Sequence, residues 1–381
     1  MLKKTLTILA SLIIVLALYL AFWPVPISPL KWQPAENQGY TGVHAVNTKL
    51  ANLQTISIGN EVGPEHIAIG PDGKLYAAVA GGKILRMLPD GAAQEVFVNT
   101  GGRVLGFDFD ATGNMLAADA ERGLLQITPA KSITVLADKV GSSPIVYADA
   151  VVVAKSGLVY LSDASTRFAP KDWGGTFEAS VLDILEQSST GRIIEYNPAT
   201  QTSRIVAKGF SFANGVALSS DEASLFVNET GKYRVWQIAV VAKELDLAQL
   251  DLAKESSQGA PPQARVLLDN LPGHPDNLMR GLPTAEGKAK IWLGFAKPRG
   301  AAVDKLAGKP WLRQLTLRLP RALWPIPPQY GHVIAFTEDG KIVADLQDPT
   351  GAYPETTGVT EIADRLYIQS LHAKSLGWVK K

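Results

Sequence analysis

The sequence predicts an all-β chain, a six-bladed β-propeller preceded by an N-terminal transmembrane helix. Three observations point there. An apolar strand–turn–strand pattern recurs six times, punctuated by glycine. Gly73, Gly113 and Gly157, at equivalent turns of the first three copies, are spaced 40 and 44 residues apart, the length of one four-stranded blade. An uncharged apolar run opens the chain ahead of the first copy.

The composition agrees with this class. Of 381 residues, 46% are hydrophobic and 19% charged, enough for a large core and too apolar for disorder. The 34 glycines and 24 prolines suit short strands and tight turns better than a helical bundle. A net charge of +1 without a basic stripe argues against a nucleic-acid partner. The chain has no cysteine, which excludes disulfides, thiolate nucleophiles and zinc–thiolate sites.

Residues 1–30 read as a membrane anchor. Lys3 and Lys4 precede an uncharged run from Thr5 to Leu30 that is continuously apolar from Leu6 to Trp23. About 18 such residues cross a bilayer core as a helix. A cleaved signal peptide is the rival, but its apolar region is normally shorter and ends in small-x-small. Here the run ends Tyr19-Leu20-Ala21-Phe22-Trp23-Pro24, with aromatics at the interface level. The two lysines stay cytoplasmic by the positive-inside rule, placing the rest on the extracytoplasmic side. Pro24, Pro26, Pro29 and Pro34 make residues 31–49 part of a stiff, extended linker.

The propeller is expected over residues 50–381. Its copies begin at His66-Ile67-Ala68-Ile69, Leu105-Gly106-Phe107-Asp108-Phe109, Ala150-Val151-Val152-Val153, Gly215-Val216-Ala217-Leu218, a looser Asn277-Leu278-Met279, and Gly358-Val359-Thr360-Glu361-Ile362. Two insertions interrupt them, near 168–189 and 297–330. Phe177, Val181, Ile184 and Leu185 fall near helical spacing in the first; Trp311, Leu312 and Leu315 sit among lysines and arginines in the second. Each reads as a surface helix on a blade, or alternatively as a lid or membrane-facing element over the propeller mouth.

In a propeller the innermost strands start near the central axis, so polar residues at those starts converge. The positions before the inner strands are Glu65 and His66, Asp149, Asn214, and Asp276 with Asn277. Carboxylates and carboxamide oxygens around one axis form a hard-oxygen cage suited to calcium, with magnesium or manganese as alternatives. Taken singly, each also reads as a turn residue or a partner for strand amides. Of the five histidines, His66, His274 and His372 lie near these starts and are candidates for general base or substrate contact. His44 and His332 read as packed or surface residues. The sequence has no Gly-x-Ser-x-Gly elbow, His-Glu-x-x-His or Gly-x-x-x-x-Gly-Lys loop.

Longer segments resemble a known family. Thr190-Gly191-Arg192-Ile193-Ile194-Glu195-Tyr196-Asn197-Pro198-Ala199-Thr200, Phe212-Ala213-Asn214-Gly215-Val216, Leu271-Pro272-Gly273-His274-Pro275-Asp276-Asn277 and Leu366-Tyr367-Ile368-Gln369-Ser370-Leu371 are similar, in order and spacing, to segments of strictosidine-synthase-like proteins. Pro310-Trp311 resembles the adipocyte plasma membrane-associated branch of that family, which also carries an N-terminal anchor. The resemblance implies a six-bladed propeller akin to gluconolactonases and paraoxonases, whose axial calcium polarises an ester or lactone carbonyl. It implies Glu65, Asn214 and Asp276 as metal ligands, with Asn277 beside them. Where the group has an Asn-Asp pair opening the third blade, this chain has Ala148-Asp149, so Asp149 substitutes or the cage lacks a ligand. The glutamate that serves the namesake condensation falls on Thr357, so strictosidine synthesis is not expected. The expected activity is calcium-assisted hydrolysis of a small ester or lactone. The alternative is a non-catalytic anchored propeller that binds a ligand or partner.

Overall fold

The computed structural model describes residues 2–251, 262–324 and 326–381. Helix α1, Leu2–Phe22, has no buried residue and a mean hydropathy of 2.5 over its most apolar window. It is long and apolar enough to cross a membrane, as a span or as a signal sequence. Beyond it the chain is mostly antiparallel β.

Six four-stranded meanders follow. Unit one is His66–Ile69, Leu75–Ala78, Lys83–Met87 and Glu95–Asn99; unit two is Val104–Phe109, Met115–Asp119, Gly123–Ile127 and Ile133–Ala137. Unit three is Ala148–Val153, Val159–Asp163, Gly191–Asn197 and Thr202–Phe210, with Leu245–Asp246 added at its edge; unit four is Ala213–Leu218, Ser224–Glu229, Arg234–Ala239 and Ala264–Leu268. Unit five is Gly273–Arg280, Lys290–Pro298, Gly331–Thr337 and Ile342–Asp348. Unit six is Thr356–Glu361, Arg365–Ser370 and Ser375–Lys380, completed by Gln54–Ser57 from the start of the body. That last strand pairs antiparallel with the C-terminal one, Gln54 opposite Trp378 and Ser57 opposite Ser375. Units five and six share one continuous sheet through a single pairing, Phe295 with Thr356.

The strand sequences explain the stacking. Second strands such as Leu75-Tyr76-Ala77-Ala78 are buried on both faces, whereas the outer Glu95–Asn99 keeps only Phe97 and Val98 buried. Sheets packed on both sides need continuous apolar runs; only outer strands see water. An apolar cluster accordingly fills each gap. Tyr76, Ile84, Phe107 and Leu125 join units one and two, and Ile67, Leu85, Tyr367 and Leu376 join six and one. The first strands lie side by side in a ring, unit six against unit one. Close approach dictates some glycines: a Cβ on Gly215 would meet the backbone nitrogen of Leu278 at 2.4 Å and the carbonyl of Asp276 at 2.5 Å. Gly73, Gly113 and Gly157 hold φ between 73° and 86° in the turns after the first strands, which glycine adopts without strain.

Both insertions join the second and third strands of their units, three and five. In a meander that connection lies at the end where first strands begin, so both insertions stand over the axial polar residues. The first forms α2, Thr176–Glu186; the second forms α3, Ala301–Ala307, and α4, Pro310–Arg318. Residues 23–50 run along this rim and down the outside. Ile27 is buried among Phe168, Ala179, Leu182 and Phe212, and Leu30 N donates to the Glu186 carbonyl at 2.9 Å. The body's contacts thus begin upstream of residue 31, within the segment read as anchor and linker.

Candidate functional site

Five of the six units deliver a polar side chain to the axis near the start of the first strand. Unit one gives Glu65, unit two Arg103, unit three Asp149, unit four Asn214 and unit five Asp276; all five are buried. Glu65, Asp149, Asn214 and Asp276 line the floor of one cavity, with an empty volume of about 1050 Å³, partly open to solvent. The structure brings together four of the five residues read as metal ligands. Asn277 is the exception. It does not line the cavity, and its amide nitrogen donates to the Glu65 carbonyl at 3.0 Å and to Gln369 Oε1 at 3.2 Å, stapling unit five to units one and six.

The charges on the floor are unevenly matched. Arg103 pairs with Glu65, and burial still outweighs that pairing, so the Glu65 carboxyl is raised. Asp149 is pushed well above the carboxylate range by burial and then by the charges of Asp276 and Glu65. Asp276 is likewise raised by burial first and Glu65 second, against a hydrogen bond from Asn214. The Asn214 Oδ1 atom is buried with no hydrogen-bond partner. Two carboxylates in no direct ion pair among the described residues and an orphaned carboxamide oxygen therefore face one space. That donor set matches a hard divalent cation such as calcium or magnesium in both ligand type and charge.

The three candidate histidines have different surroundings. His66 points away from the cavity and packs against Phe107, ring centroids 4.7 Å apart; burial lowers it to about 4. His274 lines the cavity, and its Nδ1 lies 3.2 Å from the Thr230 carbonyl. A carbonyl only accepts, so Nδ1 carries the proton and Nε2 is left as an acceptor. Burial lowers His274 to about 4, so it is neutral near pH 7. His372 stands at the rim, half-exposed, in a second hollow with Arg103, Thr176 and Phe177. Its Nδ1 pairs with Glu355, and that hydrogen bond raises its pKa. Glu355 also takes Lys297 Nζ at 2.6 Å and holds a left-handed φ of 52°, a conformation that non-glycine residues keep only where surroundings enforce it.

Sequence reasoning does not single out Arg103 or Lys297, and it sets Glu355 aside as only a neighbour of Thr357. Arg103 and Glu355 immediately precede the first strands of units two and six, as Glu65 does in unit one, whereas Asp149, Asn214 and Asp276 lie just inside theirs. Lys297 ends a second strand, at the same rim. Above the floor the walls are apolar: Leu105, Tyr147, Phe177, Val181, Ile184 and Phe212. Tyr147 ties floor to roof, its hydroxyl donating to the Thr176 carbonyl at 2.7 Å. Among the described residues, the tight three-ligand cluster of imidazole and carboxylate lies elsewhere. His44 Nδ1, His332 Nε2 and Asp345 Oδ2 lie within 4.8 Å of one another on the outside of unit five.

A ring of antiparallel meanders around a polar axial cavity defines a propeller-like protein. Comparison with known proteins agrees. Residues 42–87 match the model described as "Strictosidine synthase-like, N-terminal", and residues 149–242 match "Strictosidine synthase". Strictosidine Synthase-Like 4 of Arabidopsis thaliana is 30% identical over 336 residues, covering 84% of this chain and 80% of that protein. An adipocyte plasma membrane-associated protein of Danio rerio is 26% identical over 396 residues, covering 97% and 88%. The chain belongs to the strictosidine synthase-like family. Among solved structures, a gluconolactonase from Xanthomonas campestris matches with a TM-score of 0.54 at 15% identity, covering 93% of this chain and 98% of that one. A calcium-binding regucalcin from Agrobacterium tumefaciens matches at 0.51 and 16%, covering 83% and 85%. At that identity the likeness is one of fold.

Proposed function

We propose that this chain is a six-bladed, membrane-anchored propeller that hydrolyses a small carboxylic ester or lactone at its axis, aided by a divalent cation, with calcium the best match. One observation carries the reading: Asp149 and Asp276, buried and in no direct ion pair among the described residues, face a cavity beside the unpaired Asn214 Oδ1. Asp149, Asn214 and Asp276 would hold the ion, with Glu65 alongside. When bound, it would supply a Lewis acid for the substrate carbonyl and balance the floor charge. The anchor is α1, with Lys3 and Lys4 cytoplasmic and the propeller outside.

The chain's own groups have separable duties. His274 Nε2 accepts a hydrogen bond from the nucleophilic water or from a substrate hydroxyl, and its low basicity keeps it in that state. His372, oriented by Glu355 in the rim hollow that adjoins the cavity at Thr176, Phe177 and Leu371, would take the proton as water adds to the carbonyl carbon and return it to the leaving alkoxide as the C–O bond breaks. Lys297 fixes Glu355 from the other side. The apolar roof limits competing water.

Calcium should raise the melting temperature of the full chain by mass action, since the unfolded chain has no preformed site. Asp276→Ala should abolish that increment and lower hydrolysis of phenyl acetate or a simple lactone by about 10²–10³-fold, the scale of losing one electrostatic element of such a site. Activity that survives both chelation and Asp276→Ala would refute the metal-assisted mechanism. No hydrolysis of any ester or lactone would refute the enzyme reading in favour of ligand binding.

A further inference from the structure

The cavity and the membrane helix meet through the same two roof elements. Arg318 of α4 donates from Nε to the Trp23 carbonyl at 2.7 Å and from Nη1 to the Leu20 carbonyl at 3.1 Å, clasping the last turn of α1. Arg313 bonds the carbonyls of Leu30 and Leu185, at 2.8 Å for the latter, tying the chain after α1 to the end of α2. The helix that leaves the protein is therefore fastened to the lid over the axis.

The surface around this clasp has the character of a membrane interface. Phe22 and Trp23 at the end of α1, Trp311 on α4, and Leu323 and Ile326 just beyond it are exposed, at 76%, 58%, 64%, 64% and 41%. Arg318, Arg321, Lys305 and Lys309 lie among them. Arg321 spreads over the Trp324 ring at 4.4 Å and the Phe177 ring at 5.7 Å. Exposed aromatics and aliphatics interleaved with basic residues are the composition of a segment lying at the headgroup level. Ile326 belongs to both surfaces: it is exposed, and with Trp324, Pro327 and Phe177 it lines the axial cavity. The apolar cavity wall thus continues outward onto the face beside α1. The polar groups gather at the opposite end, on the floor.

We propose that the substrate carries a long hydrocarbon chain and reaches the axis from the bilayer in which α1 sits, through the opening framed by Phe177, Trp324, Ile326 and Pro327. The carbonyl would rest on the floor with the chain along the roof. This rests on the hydrolase reading above and adds the substrate class and its route. Burying each methylene strengthens binding up to roughly fourfold, so partial burial of a six-carbon extension should give about a tenfold preference.

The test uses the full chain reconstituted in phosphatidylcholine vesicles, with p-nitrophenyl acetate, butyrate, octanoate and dodecanoate as substrates, and binding of a fluorescent dodecyl ester measured in parallel. The expected results are kcat/KM at least about tenfold higher for octanoate than acetate, and a fall in that ratio with Ile326→Asp. Trp311→Phe should remove part of the tryptophan quenching produced by brominated phosphatidylcholine. Hydrolysis that is flat or falls with chain length overturns the proposal while leaving the hydrolase reading intact. No hydrolysis of any ester, with the dodecyl probe bound and lost in Ile326→Asp, refutes the hydrolase reading and keeps the lipid-directed cavity. Absence of both probe binding and lipid quenching at Trp311 overturns the proposal outright.

Discussion

Among the described residues, two clusters of carboxylate and imidazole are built on opposite terms. On the outside of unit five, Asp345 is saturated. Its Oδ2 meets His44 Nδ1 at 2.8 Å and His332 Nε2 at 3.0 Å, while its Oδ1 accepts from Asn47 at 3.0 Å and Gln347 at 2.5 Å. Those bonds outweigh burial and lower its pKa. At the axis, Asp149 and Asp276 are buried in a like-charged set and both are raised. A buried carboxylate whose partners all come from its own chain is finished; one that faces a cavity underpaired is waiting for something from outside. The outer cluster fastens residues 41–47 to the sheet. The axial cluster is where we place the proposed chemistry.

The largest expected effect tests the finished cluster. Asp345→Ala would leave His332, which is fully buried, without its partner and would strip Asn47 and Gln347 as well. A loss of about 2–4 kcal/mol in unfolding free energy is expected from leaving such groups unpaired, read from the urea midpoint. Turnover per folded molecule should be unaffected. A stable Asp345→Ala variant would mean that the cluster is not the clamp described here.

A middle-sized effect concerns the rim. Glu355 raises the pKa of His372. If His372 works as the base, activity rises with pH through that raised value. Glu355→Gln keeps an acceptor for Nδ1–H but removes the charge. The acid limb should move to lower pH and the plateau should fall roughly tenfold. An unmoved pH profile would take His372 out of the mechanism.

How much of this was legible follows from what is local. The repeated strands and their glycine turns are local patterns, and the first strands of all six units stand where those patterns lie. The closing strand Gln54–Ser57 is not legible in this way, because its partner Ser375–Lys380 is at the other end of the chain. The site was legible through one rule, that polar residues at or just before the starts of inner strands meet at the axis. The rule was not carried to units two and six, where it yields Arg103 and Glu355. It was also read too broadly within a strand. Successive side chains leave a strand on opposite sides, so Glu65 and Asp276 reach the cavity while His66 and Asn277, their neighbours, do not. Tyr147 and Asp149, and His274 and Asp276, are pairs two apart that share it. Burial and pairing depend on residues from five or six units at once, and no single segment encodes them.

The smallest effect bears most directly on the contrast between the clusters. Asp149→Asn preserves shape and an oxygen ligand while deleting one charge. The raised pKa means that the folded chain holds a proton on Asp149 at a pH where the unfolded chain has released it. Between the ordinary value near 4 and the raised one, the native state binds more protons, so this residue's contribution to stability falls as pH rises. Below about pH 4 both states are protonated and the penalty disappears. In the presence of a chelator, Asp149→Asn should therefore be more stable than the parent at pH 8, by about 1 kcal/mol, the usual scale when a functional site is relieved of strain. The gain should shrink steadily toward pH 4. Adding calcium should narrow or invert it, because the parent then has the ion that balances its two carboxylates and the variant has lost one of them. The same substitution at Asp345 should show the opposite sign, destabilising above pH 4, since that carboxylate is held ionised by its partners. Melting curves of the two variants at pH 4, 6 and 8, with calcium and with chelator, separate the cases. If Asp149→Asn is less stable than the parent at pH 8 in chelator, the axial carboxylates are not a strained, underpaired set, and the reading of the axis as a cation site loses its physical basis.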